Sequence, residues 1–259
     1  MITWWKTLPH TLLLLMSTVV FMGQQVQPPQ QETRANGPGF DVLEQAKQLK
    51  KAEKYPEAAM KALEAARIFQ QTPDWLAWAA SYEEAYMCAR FLGSDTFYRD
   101  MIVRFGAAEK RLSAEKGVPA EAKSTIWGRT GFMHHSLGEY DQAIAYYEKA
   151  FPFAAQTTDS AFQTRLYGSA AMLFWDRGDD YRALIYHEKA LALAKAKQDT
   201  ALMAAITANL ANVWRTAEPQ RAIAAYRQAL ALDPDNSETL MLLSKAYLEL
   251  EHNIAKAFE

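Results

Sequence analysis

Between Leu137 and Ala229 a small residue, a bulky ring and a second small residue return three times in the same order. Ala143, Tyr147 and Ala150 form the first set; Ala183, His187 and Ala190 follow forty positions on, and Ala222, Tyr226 and Ala229 thirty-nine further. A companion set precedes each. Trp127, Gly131 and His134 are echoed at intervals of forty by Tyr167, Ala171 and Phe174, then by Thr207, Ala211 and Trp214. Spacings of three and four put the members of a set on one face of a helix. Each unit therefore reads as two helices joined by a short turn. Alanine or glycine lets the neighbouring backbone come close, and the ring fills the space beside it. A single pair cannot bury both of its faces, whereas stacked pairs can, so the pattern demands an array. The one residue missing from the third interval falls in the turn around Thr216 to Pro219.

Composition agrees. Half of the 259 residues are hydrophobic, and Ala, Leu, Glu, Lys and Gln, all good helix formers, are abundant. The fold class is all-α, an α-solenoid of antiparallel helix pairs. The expected helices are 40–53, 56–70, 73–92, 95–115, 119–137, 140–156, 159–177, 180–197, 199–216, 219–232 and 236–250, with a stub after 252. Turn signals separate them: TPD at 72–74, LGE at 137–139, RGDD at 177–180, EP at 218–219 and DPDN at 233–236.

The segment GEYDQAIAYYEKAF, with Tyr140 in the turn and Ala143, Tyr147 and Ala150 on the second helix, resembles the tetratricopeptide repeat. ALDPDN, Ala231 to Asn236, is similar to that family's ending, with Pro234 opening the next unit. A period near forty exceeds the usual value of about thirty-four and resembles the longer-helix variety. The resemblance implies a right-handed superhelix. It extends back to Ala46, Leu49, Ala58 and Ala65, and forward to Leu240, Leu243, Ser244 and Tyr247, giving about five units and a partial sixth over 40–259. A second unit opening at Trp75, Trp78, Ala79 and Tyr82 is stretched, because Ala79 and Gly131 lie fifty-two residues apart.

The first 39 residues read differently. Residues 1–23 carry one lysine, then the apolar run LPHTLLLLMSTVVFMG, whose length suits a signal-peptide core better than a full span. Gly23 fits a cleavage position, but Phe21 two residues before it does not, so an uncleaved anchor over 4–23 with Trp4 and Trp5 at the interface is the alternative. Both readings expect export, to a bacterial periplasm or beyond the cell. Residues 24–39, QQVQPPQQETRANGPG, have almost nothing apolar to bury and read as a disordered tether.

No catalytic motif is present: no glycine-rich phosphate loop, no HExxH, no GxSxG. No enzyme activity, cofactor or metal is expected. Cys88 is the only cysteine, so an intrachain disulfide is impossible, and it reads as a small buried residue. His134 and His187 fall where the repeat wants a core ring. DRGDD, Asp176 to Asp180, lacks the spacing of a calcium loop and reads as a solvated turn. Glu83 and Glu84 read as a charged helix face. A net charge of −2 offers no basic groove for nucleic acid.

The resemblance leaves one site, the inner surface lined by first-helix positions not used in packing. Those are Gly128, Arg129, Phe132, His135 and Ser136; then Gly168, Ser169, Met172, Trp175 and Asp176; then Ala208, Asn209, Asn212, Arg215 and Thr216. Gly128, Gly168 and Ala208 are expected to leave the floor open. Phe132, Met172 and Trp175 would make it adhesive, and Arg129, Arg165 and Arg215 would add positive charge. The lysine and asparagine of the family's carboxylate clamp are missing, so an apolar helix or extended peptide, with some acidic residues, is the expected partner. Two alternatives stand beside this non-catalytic scaffold. Exported long-helix repeats resemble the front part of bacterial proteins with a caspase-like, CHAT-type protease domain. The last segment, TLMLLSKAYLEL, is apolar on more than one side, which suggests self-association through the C-terminal helix.

Overall fold

The computed structural model describes residues 37–257, with side chains through Leu250. The expected signal or anchor at 1–23 and most of the 24–39 tether lie outside the described residues. Eleven helices follow one another and no strand occurs among the described residues. They are α1 (Pro38–Lys51), α2 (Tyr55–Phe69), α3 (Trp75–Leu92), α4 (Asp95–Ala114), α5 (Ala120–Ser136), α6 (Tyr140–Ala154), α7 (Ser160–Asp176), α8 (Asp180–Ala196), α9 (Thr200–Trp214), α10 (Pro219–Leu232) and α11 (Ser237–Ala257).

The turn signals supply the caps. Asp74, Asp159, Asp179, Asp199 and Asn236 each accept a hydrogen bond from the backbone N–H three residues on, at 2.9–3.0 Å, and so start α3, α7, α8, α9 and α11. Between α5 and α6, and again between α7 and α8, the chain turns through a left-handed residue, Gly138 (φ 72°) and Gly178 (φ 80°). Glycine takes that conformation without a steric penalty.

Packing follows the small residues. In α2, α6, α8 and α10 the fourth and eleventh residues are alanines: Ala58 and Ala65, Ala143 and Ala150, Ala183 and Ala190, Ala222 and Ala229. All eight are at most 2% exposed. The rings between the alanines, Tyr147, His187 and Tyr226, are fully buried. Against the first of them lies Gly131, where an added Cβ would stand 3.1 Å from the Tyr147 ring. α1 lies along α2, α5 along α6, α7 along α8 and α9 along α10, while the first helices α1, α3, α5, α7 and α9 touch in succession. This is the solenoid of helix pairs expected from the repeat.

The stretched second unit breaks the rule for a visible reason. In α4 the fourth and eleventh residues are Tyr98 and Phe105, both buried. Bulky side chains hold the helix axes apart, so α3 packs more closely on α2 than on its own partner α4. Compensation comes from Arg111 near the end of α4, whose guanidinium lies 4.0 Å from the Trp75 ring centre and 5.0 Å from that of Trp78. Such a contact contributes about 1 kcal/mol or more where it is sheltered from water.

Two of the boundary differences change the extent of the helical unit. The helical unit opens before Phe40: Pro38 suits the first turn of α1, and Gly39 is buried so tightly that a Cβ there would sit 2.7 Å from the Phe69 ring. At the other end α11 runs unbroken to Ala257, since no glycine or proline interrupts it near 250.

Candidate functional site

The inner face is built by α3, α5, α7 and α9, and α7 presents an open stripe on it. Arg165, Gly168, Met172 and Trp175 are spaced three, four and three, so they share one side of that helix. Arg165 is exposed, Met172 is 43% exposed and Trp175 is half-buried. At Gly168, the midpoint of α7, an added Cβ would meet nothing within 4 Å. Arg165 also borders a recess of about 140 Å³ whose walls include Leu76 of α3, Glu83, Glu121 of α5 and Asp159.

The equivalent stripe on α5 is closed. The expectation that Gly128 opens the floor fails, because Leu166 of α7 fills its place, and a Cβ there would lie 2.8 Å from the Leu166 Cδ1. Ala208 on α9 is likewise buried. Of the three small floor positions only Gly168 faces open space. Glycine inside a helix costs about 1 kcal/mol relative to alanine. Close packing accounts for that cost at Gly128 and Gly131, and nothing within the fold accounts for it at Gly168.

The expectation that Arg129 adds positive charge to the groove is corrected too. It is only 5% exposed, with Nε and Nη2 donating to the two Glu83 oxygens at 2.5 and 2.6 Å. Its guanidinium also lies over the rings of Tyr86 and Phe162. Burial works against the guanidinium charge, but Glu83 outweighs it and holds Arg129 above its ordinary pKa. Glu83 and Glu84, read from the sequence as a charged helix face, both find cationic partners on neighbouring helices. Glu84 is 8% exposed and pairs with Lys50 of α1 at 2.7 Å. These two carboxylates join α3 to its neighbours on both sides. The repeat could not reveal them, because the second unit is out of register with the rest.

The other candidate residues are placed as follows. Phe132 is half-buried, its ring edge-on to Tyr86 at 5.4 Å. The Nε2 of His135 is 2.7 Å from Asp176, linking α5 to α7. Asn212 accepts from the Tyr226 hydroxyl at 2.5 Å. Arg215 pairs with Glu249 of α11 at 3.2 Å. The charged candidates thus divide. Arg129, His135 and Arg215 tie neighbouring helices together, whereas Arg165, alone among the three candidate arginines, forms no ion pair among the described residues. His134 is half-buried, stacked on Tyr146 at 5.2 Å with its Nδ1 2.6 Å from Glu139.

Cys88 is fully buried, and burial pushes its thiol up to about 11, so it stays protonated. Among the described residues no three His, Cys, Asp or Glu side chains converge as a metal site, and no helix is long and apolar enough to cross a membrane.

Comparison with known proteins gives a consistent result. A family model described as tetratricopeptide repeat matches residues 123–196, and a second of that description matches 214–236. Among solved structures, BtubC (BKLC) from P. vanneervenii is 19% identical, aligns over 75% of this chain and 82% of its own, and has a TM-score of 0.60. PlcR from Bacillus thuringiensis, solved with the peptide PapR7 and DNA, is 15% identical over 80% of this chain and 73% of its own, with a TM-score of 0.56. TTC0263 from Thermus thermophilus, described as a thermophilic TPR protein, is 16% identical over 81% of this chain and 99% of its own, also at 0.56. At such identities the likeness is one of fold. No curated protein matches the sequence.

Proposed function

The chain is a tetratricopeptide-repeat protein, and from that premise we propose that it is a non-catalytic scaffold that holds a peptide on the inner face of its solenoid. The observation that carries this reading is the α7 stripe, where Met172 and Trp175 offer apolar surface beside an unfilled floor at Gly168. Apolar side chains exposed along a concave wall suit an occupant that covers them. PlcR, of similar fold, was solved with a bound peptide, which supports a peptide as the kind of ligand. The residues at 1–23 support export of the chain, and a reporter active only outside the cytoplasm, fused after Glu259, tests that part.

The binding test selects peptides from a randomised twelve-residue display library on the full chain, then measures the affinity of the enriched sequences by fluorescence anisotropy. Met172→Glu and Trp175→Ala are expected to weaken binding at least tenfold with circular dichroism unchanged. Affinities that ignore both substitutions would refute the site. Phe132→Ala is a poorer probe, since that ring packs on Tyr86.

A second reading rests on its own observation. Leu240, Met241 and Leu248 of α11 are 46%, 64% and 67% exposed. A further copy of the chain covering them would appear as a dimer in sedimentation that Leu240→Lys with Leu248→Lys returns to monomer.

A further inference from the structure

We infer that Gly168 is the position at which a partner's main chain crosses α7, and that the missing side chain there sets what the groove accepts. This rests on the peptide-binding reading above and makes it more specific. The occupant is an extended peptide whose backbone lies against α7 at Gly168, with one apolar side chain against Met172 and Trp175.

Three glycines on α5 and α7 can be compared. Gly131 is required by the Tyr147 ring, 3.1 Å from an added Cβ, and Gly128 by Leu166 at 2.8 Å. Both are explained by neighbours within the fold. Gly168 occupies the same place in its unit as Gly128, forty residues on, yet its Cβ would point into empty space. It sits at the centre of a seventeen-residue helix, where it weakens the helix without easing any contact. It is flanked one turn on by Met172 and one turn back by Arg165, the two exposed side chains of the stripe. Absence of a Cβ on an inner wall lets a second backbone approach more closely than any other residue would allow. An alanine would already hold a crossing chain off, and a longer side chain would lie where the peptide must run.

The fold contains its own control. Gly106, in the interior of α4, also has nothing within 4 Å of an added Cβ. It lies on a second helix, away from the inner face, beside Glu109, Lys110 and Ser113. Gly106→Gln and Gly168→Gln make the same chemical change in two open helical positions. Both are expected to fold and to raise the thermal midpoint by about 2–4 °C, as replacement of a mid-helix glycine should.

The experiment uses the full chain and the peptides enriched from the twelve-residue library. Gly168→Gln is expected to weaken them at least tenfold, Gly168→Ala by a smaller factor, and Gly106→Gln by less than twofold. If Gly168→Gln binds like the parent while Met172→Glu does not, this inference falls and the groove reading stands. If neither substitution matters, or the library yields no binder, the groove reading falls and takes this inference with it. If Gly168→Gln unfolds while Gly106→Gln does not, the glycine serves folding, and the inference is equally overturned.

Discussion

Glu83 and Arg129, forty-six residues apart in the chain, hold each other through two parallel hydrogen bonds of 2.5 and 2.6 Å and fasten α3 to α5. They span the stretched second unit, where the repeat departs furthest from its register. Arg129 is nearly without solvent, whereas the Glu83 side chain keeps 29% of its surface exposed. Losing one partner is therefore not equivalent to losing the other.

Glu83→Gln should be the more damaging change, because it strands a buried guanidinium; a loss on the order of 3–5 kcal/mol is expected. Arg129→Met leaves a carboxylate that water can still reach and should cost clearly less. Glu83→Leu combined with Arg129→Met should recover part of the loss. Urea denaturation of the three variants checks the order, and equal losses for the two single changes would contradict the asymmetric burial.

Ala183→Leu tests the close approach of the helices. Ala183 has no exposed surface, and the added atoms must push α8 from its neighbours. A loss of about 1–3 kcal/mol is expected. Val103→Gln, on the open side of α4 at 75% exposure, should stay within about 0.5 kcal/mol of the parent. Thermal melts of the pair would expose a wrong packing scheme if their order were reversed.

His187 gives the fold an acid-sensitive point. Burial holds its imidazole down to about 4, and its Nδ1 has no partner among the described residues. In the unfolded chain it titrates near 6.5. Between these values the unfolded state binds the extra proton, so stability is full above pH 6.5 and falls as pH drops toward 4, by up to about 3 kcal/mol. His187→Phe removes the titrating group and keeps a ring where sister units have Tyr147 and Tyr226. Its advantage over the parent should grow from about pH 7 to about pH 4.5 in denaturation midpoints; a gap independent of pH would show that His187 is not the group responsible.

The parts of the fold legible in the sequence are those the chain repeats. Ala143, Ala183 and Ala222 announce themselves because three units pose the same packing problem and solve it alike. Tyr98 and Phe105 stand at the corresponding positions of α4, but a unit that replaces its alanines with rings no longer resembles the others, and no periodicity marks it. Gly128 and Gly168 show a second limit. They are the same letter at the same place in successive units, yet one is plugged and one is open. The difference is made by Leu166, whose reach into the neighbouring unit is a property of the assembled stack. Arg129 escapes a reading by periodicity for a related reason: its partner lies in the irregular unit, so no fixed interval points to Glu83.

The bulky rings of α4 have a further mechanical meaning. Because α3 leans on α2 and stands away from α4, the two helices of the second unit are joined more loosely than those of the units on either side. A pull that separates α3 from the helices after it has two ties to break, Arg111 against its two tryptophans and Glu83 against Arg129.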